Sequence, residues 1–351
     1  MKKNLVVVGY GGMGGWHVEK TQDSDVVNLL GVYDIDKEKN DLAESRGIHA
    51  YNSFEEVLED KNVDIVTVAI PNDSHKDVVI AALNAGKNVI CEKPVAMNLE
   101  ELDEMIRAAE RNGKIFSVHQ NRRFDVDFLA IKQLKESGEI GEIIDIESRI
   151  HGSRGIPGDW RGEKKHGGGM LLDWGVHLID QVLQLFDEKI EKIHCDFDHL
   201  TNKEVDDGYK LTLYFEGGKK AYIETCTYNF ITMPRFYMRA ENGTALITGW
   251  TEKCKVTKCK RWHENEVVPV ETAAGLTKTM APRDSIVSVD EYELDVPRSD
   301  VHDYYRNFVK TIDGQATLLV THPQMRRVMK VMLAACESAR LGQVIAFNDE
   351  K

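Results

Sequence analysis

The chain has little with which to build a disulfide framework, a zinc site or a membrane span. Its six cysteines (Cys91, Cys195, Cys226, Cys254, Cys259, Cys336) are scattered, with no CxxC and no histidine pair at zinc spacing. They read as reduced thiols of a cytoplasmic protein, and no metal site is expected. Cys254 and Cys259, set among lysines, read as a surface strand or loop. No apolar stretch approaches the ~18 residues of a spanning helix. Prolines number only eight, and there is no Pro/Ser-rich linker, internal repeat or low-complexity tract. Basic residues are in deficit, 45 against 58 acidic, for a net charge of −13. That balance disfavours nucleic acid and anionic membranes as partners. The opening MKKNLVVVG imitates a signal peptide, but its apolar run at 5–8 is short of the roughly 7 residues of a secretory core. It reads as a strand.

What is present is a composition of 42% hydrophobic and 29% charged residues in a chain of 351. This is a globular protein too long for one ordinary core, and two domains are expected, 1–122 and 123–351. The strand at 5–8 runs into GYGGMG; a helix at 16–21 and a strand at 26–33 follow, ending in Asp34, twenty residues past Gly14. Strand, glycine turn, helix, strand and acid form a dinucleotide-binding unit. Gly9 permits the tight turn, Gly11 lets a pyrophosphate approach the backbone, and Gly14 lets helix pack on strand. Gly12 and Met13 complete the turn at a helix N-terminus suited to phosphate. Asp34 is placed to accept the ribose hydroxyls and to repel a 2′-phosphate, which favours NAD. Lys37, three residues on, can offset that repulsion, so NADP stays possible.

Helices at 53–59, 73–85 and 99–112 alternate with strands at 63–70, 88–91 and 115–119. The pattern predicts an α/β, doubly wound parallel sheet, with its ligand beyond the carboxyl ends of the strands. Pro71, Asn72 and His75 at one such end, and Glu92 and Lys93 at another, are candidate cofactor contacts. Lys93, fixed by Pro94, sits where a lysine can act as acid, base or electrostatic clamp.

The stretch 167–181, GGGMLLDWGVHLIDQ, is apolar except for Asp173, His177 and Asp180. In a helix, Asp173 and His177 stack one turn apart. Two readings stand open: a buried pair in which Asp173 fixes the His177 tautomer, or a catalytic pair.

GYGGMG, Glu92-Lys93-Pro94 and GGGMLLDWGVHLID, in that order and at those separations, resemble the Gfo/Idh/MocA family of oxidoreductases. The resemblance covers essentially the whole chain. It implies a Rossmann domain followed by a domain on an open, mostly antiparallel sheet, through which subunits pair into a homodimer or homotetramer. It implies that Lys93 lies near the reacting hydroxyl and the nicotinamide. It further implies that His177 faces the substrate and is supported by Asp173. In this reading 119–124 joins the two domains, with Arg122 as its cleft residue.

Beyond 125 the pattern changes to strands at 143–150, 190–197, 209–215, 221–227, 235–240 and 244–248, and two closing helices at 301–313 and 323–341. The helix core is expected at Met325, Val328, Met329, Met332, Leu333 and Cys336. The loop 151–165 can close over a substrate, with Trp160 offering a stacking face. The expected function is hydride transfer between NAD(P) and a secondary hydroxyl or ketone of a sugar or inositol-like polyol. Either His177 or Lys93 serves as the base. Two rivals remain, a glycosidase using NAD for transient oxidation and a non-catalytic NAD-binding sensor.

Overall fold

The computed structural model describes residues 1–260, 267–283 and 288–349. It opens with β1 (Lys3–Val8), α1 (Gly12–Thr21), β2 (Val27–Tyr33), α2 (Lys37–Ser45), α3 (Phe54–Glu59), β3 (Ile65–Val68), α4 (His75–Asn84), β4 (Asn88–Cys91), α5 (Leu99–Asn112) and β5 (Phe116–Val118). The strands make one parallel sheet in the order β2-β1-β3-β4-β5. β3 and β4 are buried along their whole length, as continuous apolar strands covered on both faces must be. Side-chain caps set the helix starts: Ser53 accepts from the Glu56 N–H and Asn98 from the Glu101 N–H. Gly113, at φ 59°, ends α5.

The second half contains α6 (Val126–Ser137), β6 (Ile143–His151), α7 (Val176–Leu183), β7 (Ile190–Asp198), β8 (Gly208–Phe215), β9 (Lys220–Cys226), β10 (Phe236–Ala240), β11 (Gly243–Ile247) and β12 (Cys254–Cys259). After these come β13 (Val270–Thr272), β14 (Gly275–Thr277), β15 (Val289–Leu294), α8 (Asp303–Ile312), α9 (His322–Leu341) and β16 (Ile345–Ala346). Nine strands form a sheet ordered β15-β12-β11-β10-β6-β9-β8-β7-β16, antiparallel throughout except for β6 beside β9. This is the open, mostly antiparallel sheet that the resemblance implied. Ile146, Leu211, Ile223 and Met238 are buried on the face that packs against α7 and α9. The other face carries the cross-strand row Thr212, Tyr222, Glu147, Tyr237 and Leu246. Tyr222 there is 38% exposed.

Two expectations are corrected. Cys254 is buried, because it alternates with Val256 on the inner side of β12 while Lys255 points outward. Burial pushes its thiol pKa up to about 11. Leu333 lies on the exposed side of α9, although Met325, Val328, Met329 and Met332 are core. The strands β13 and β15 escaped the sequence reading since β13 is three exposed residues and β15 offers only Tyr292 and Leu294 as an alternating, partly buried apolar pair. Among the described residues no helix is long and apolar enough to cross a membrane.

The C-terminal helices return to the first sheet. Tyr304 donates its hydroxyl to Val118 O (2.8 Å), and Ser117 donates to Val320 O (2.8 Å). A buried ion pair ties the halves together: Arg123, just past β5, grips Asp180 of α7 through Nε and Nη2 at 2.7 and 2.6 Å. Its remaining nitrogen donates to Leu319 O at 2.7 Å. Asp180, polar in an apolar run, is thereby accounted for as a structural group. Asp180→Ala strands the guanidinium in the interior and should lower stability by about 3–5 kcal/mol, read from the midpoint of denaturant unfolding.

Candidate active site

A cavity of about 770 Å³ runs from the glycine turn to Lys93 and Asp173. At its first end β1 enters the turn with Gly9 at φ 94°, where a Cβ would stand 2.3 Å from Ala69 O. A Cβ on Gly14 would stand 1.8 Å from Gly9 O, so helix and strand meet there through hydrogen alone. Gly11 and Gly12 face the opposite situation. Both edge the cavity, and a Cβ on either would meet nothing within 4 Å. The open space is in front of the N-terminus of α1, which no side chain caps. Its N–H groups and positive dipole end suit a pyrophosphate.

Asp34 edges the cavity at the end of β2. Its carboxylate accepts from the Tyr10 N–H at 2.6 Å and the Asp36 N–H at 2.9 Å. Lys37 bonds Asp41 at 2.7 Å instead of Asp34. Cradle, helix end and acid together fit NAD.

Met13, Pro71, Asn72, Glu92, Lys93 and Trp160 also edge this cavity. Asn72 donates to Gly167 O at 3.1 Å, linking the first sheet to the glycine run. His75 does not reach the cavity. It is buried, with its two ring nitrogens each 3.0 Å from Ile70 O and Pro94 O. It braces the backbone on which Lys93 stands, and burial lowers its pKa.

At the other end Lys93 Nζ donates to the backbone O and Oδ1 of Asp173, both at 2.9 Å. Arg161 Nε lies 3.3 Å from Asp173 Oδ2 and its Nη1 donates to Asp159 at 2.8 Å. Burial pushes the Asp173 pKa up, but Lys93 and Arg161 outweigh it and hold it below the ordinary value. An ammonium has three donors; Asp173 takes two, which leaves Lys93 one for a ligand.

The stacked Asp173–His177 pair is not formed. Residues Leu171–Gly175 make a π turn, in which the Val176 N–H reaches back five residues to Leu171 O. The extra residue shifts the register, so Asp173 turns to Lys93 and His177 to Gln120. His177 Nδ1 lies 3.1 Å from Gln120 Oε1. That oxygen can only accept, so Nδ1 carries the proton and Nε2 is left bare. The imidazole is 3% exposed. Its pKa lies well below the usual value, first because of burial and then because Lys93 and Arg122 are positive.

Sequence reasoning missed Asp206. Its carboxylate accepts the Leu171 N–H at 2.7 Å, and its backbone O accepts the Met170 N–H at 3.0 Å. It fastens the start of the helix that bears Asp173, and burial pushes its pKa up to about 6. The three glycines were the available signal: a Cβ on Gly169 would lie 2.2 Å from Asp206 Oδ1. Arg122 does not edge the large cavity. It pairs with Asp125 at 3.1 Å and lies against Trp174 and Trp250, 4.2 and 4.9 Å from the ring centres. Trp160 carries Arg161 over its ring at 4.6 Å. Asp173 also lines a second cavity of about 340 Å³, with Arg154, Met170, Trp174 and Thr227. The two spaces share that carboxylate.

Residues 3–120 match an oxidoreductase family with an NAD-binding Rossmann fold, and residues 128–246 match the GFO/IDH/MocA C-terminal domain. The structure superposes on an NAD-binding protein from Listeria innocua with a TM-score of 0.95, at 43% identity and 99% coverage of both chains. The myo-inositol 2-dehydrogenase of Thermotoga maritima is 32% identical over 57% of this chain and 59% of its own. The NADP(+)-using scyllo-inositol 2-dehydrogenase of Bacillus subtilis is 27% identical over 86% of this chain and 83% of its own. The chain spans 38% of the length of two curated relatives that it matches at 40% identity.

The electrostatics are testable without a ligand. By NMR, the His177 imidazole should titrate well below pH 6.5, and Lys93→Met should raise its midpoint by removing the neighbouring positive charge.

Proposed function

The chain belongs to the Gfo/Idh/MocA family of oxidoreductases, and from that premise we propose that it is an NAD-dependent dehydrogenase. It moves a hydride between the nicotinamide and a secondary hydroxyl or ketone of a sugar or inositol-like polyol. The observation that carries this reading is the junction at Asp173. There a lysine with one spare donor and a histidine with one bare nitrogen stand close enough for the lysine's charge to lower the histidine's pKa. The names of the two inositol dehydrogenases support the substrate class.

The bound nicotinamide supplies the hydride chemistry. The chain's task is to place the alcohol and handle its proton. His177 Nε2 takes the hydroxyl proton while Gln120 holds the ring in the productive tautomer. The spare N–H of Lys93 steadies the oxygen as charge develops on it. Asp173 aims Lys93, and Arg161 with Asp159 backs Asp173 from the loop that also brings Trp160 to the cavity. Asp34 favours NAD over NADP. The uncovered face of the nine-stranded sheet supports pairing of two copies into a dimer or tetramer.

The test is formation of NADH from NAD with a panel of inositols, aldoses and their phosphates, with NADP in parallel. Turnover is expected with one polyol class and is expected to vanish in Lys93→Ala. His177→Ala should lower kcat by ~10²–10⁴. Release of sugar from glycosides without net NADH would replace this reading with the glycosidase. Tight NAD binding without turnover on any of these compounds would replace it with the sensor. The base must be unprotonated to act, and its folded pKa is depressed. The acid limb of kcat/KM for alcohol oxidation should therefore lie below pH 6.5, a position that a pH–rate profile reads directly.

A further inference from the structure

Charges lining the large cavity cancel, with one exception near Lys93. Lys93 and Arg161 are matched by Asp173 and Asp159 at 2.9, 3.3 and 2.8 Å. Asp34 stands at the end of β2, three strand positions from β4 in the sheet order, roughly 14 Å away at ~4.8 Å per strand. The remaining group is Glu92, which ends β4, edges the cavity and is 4% exposed. No lysine or arginine among the described residues pairs with it. Its Oε1 lies 2.8 Å from His17 Nε2 and 2.8 Å from His119 Nδ1, and Oε2 accepts from the Lys93 N–H at 3.2 Å.

Each imidazole donates one N–H to Glu92. His17 has its other nitrogen on the Tyr305 hydroxyl, and His119 Nε2 is buried with no partner. An imidazolium would place a second N–H there, so the proton of His119 sits on Nδ1, facing Glu92. Both rings are fully buried between α1, the end of β5 and α8. His17, Glu92 and His119 could be read as a metal triad, since their ligand atoms lie within 4.8 Å of one another. However, both ring nitrogens reach the same carboxylate oxygen at N–H···O length, which is a closed hydrogen-bonded set. Burial raises the Glu92 pKa, but the two imidazole bonds outweigh it and hold the carboxyl well below its ordinary range. The cluster therefore keeps one negative charge beneath the Lys93 end of the cavity, at a place where burial alone would remove it.

We propose that Glu92, held by His17 and His119, is an electrostatic selector for the charge of the nicotinamide ring. The oxidised ring is a cation and the reduced ring is neutral, and everything else in the two nucleotides is the same. A fixed carboxylate near that ring strengthens binding of NAD⁺ and leaves that of NADH almost unchanged. This rests on the reading that the cavity binds NAD with its nicotinamide toward Lys93. It adds to that reading a role in cofactor binding for residues that do not handle the substrate's proton.

The test is binding, with no turnover required. Dissociation constants for NAD⁺ and NADH are measured by calorimetry on wild type, Glu92→Gln and Glu92→Asp. Wild type should bind NAD⁺ at least as tightly as NADH. In Glu92→Gln the ratio of the two constants should shift at least ten-fold toward NADH, the order expected for one unit charge about 12 Å away at an effective dielectric of about 20 and a lower bound for a nearer one. Glu92→Asp, which keeps the charge, should hold the ratio within about two-fold of wild type. The ratio cancels any general loss of affinity from disturbing the cluster. An unchanged ratio in Glu92→Gln overturns the proposal. So does a wild type that binds NADH more than ten-fold tighter than NAD⁺, a result that stands even if Glu92→Gln does not fold. Failure of wild type to bind either nucleotide would instead remove the dehydrogenase reading itself.

Discussion

The Lys93–Asp173 ion pair is the contact on which the site's geometry depends. It joins the end of a strand in the parallel sheet to the π turn that introduces α7, and the two cavities meet at its carboxylate. Each partner is positioned by structure behind it. The Lys93 backbone is braced by His75 through Pro94 O, and the π turn is anchored at its start by Asp206. Neither supporting residue edges the large cavity. A site assembled from two chain segments eighty residues apart needs this second layer, because a lysine on a mobile backbone would not present one fixed N–H.

Much of the fold was legible in the sequence because its signals are local. The glycine turn and the alternation of apolar strands with capped helices each act within a few residues. The segments that escaped notice were those with too short an apolar pattern, such as β15, where only Tyr292 and Leu294 alternate. The candidate site was less legible. Asp173 and His177 were found from spacing, but their relation was not, since a π turn has the same composition as an α-helix. One inserted residue changed both partners. Asp206 gave no local signal, and Gln120 was marked only as part of the 119–124 stretch, without a role. Their roles come from contacts across 35 and 57 positions, and only the tertiary structure brings those together.

Histidine serves here chiefly through its nitrogens' positions. His17, His75 and His177 are all buried with lowered pKa values, and burial is the largest cause in each. A neutral imidazole offers one donor and one acceptor on opposite edges of a rigid ring. His17 spans a carboxylate and a phenol, and His75 lies between two backbone carbonyls, to one of which its single N–H donates. The same ring in His177 leaves one edge unclaimed.

The two edges of the nine-stranded sheet are unlike its uncovered face. One edge is β16, only two residues long. The other is β15, VDEYEL, which carries Glu291 and Glu293 on one face and Asp290, paired with Lys260, on the other. A short strand offers few unpaired amides for another chain to extend, and a row of carboxylates repels an identical row. Growth by strand addition, the route to open-ended fibrils, is thus discouraged at both ends.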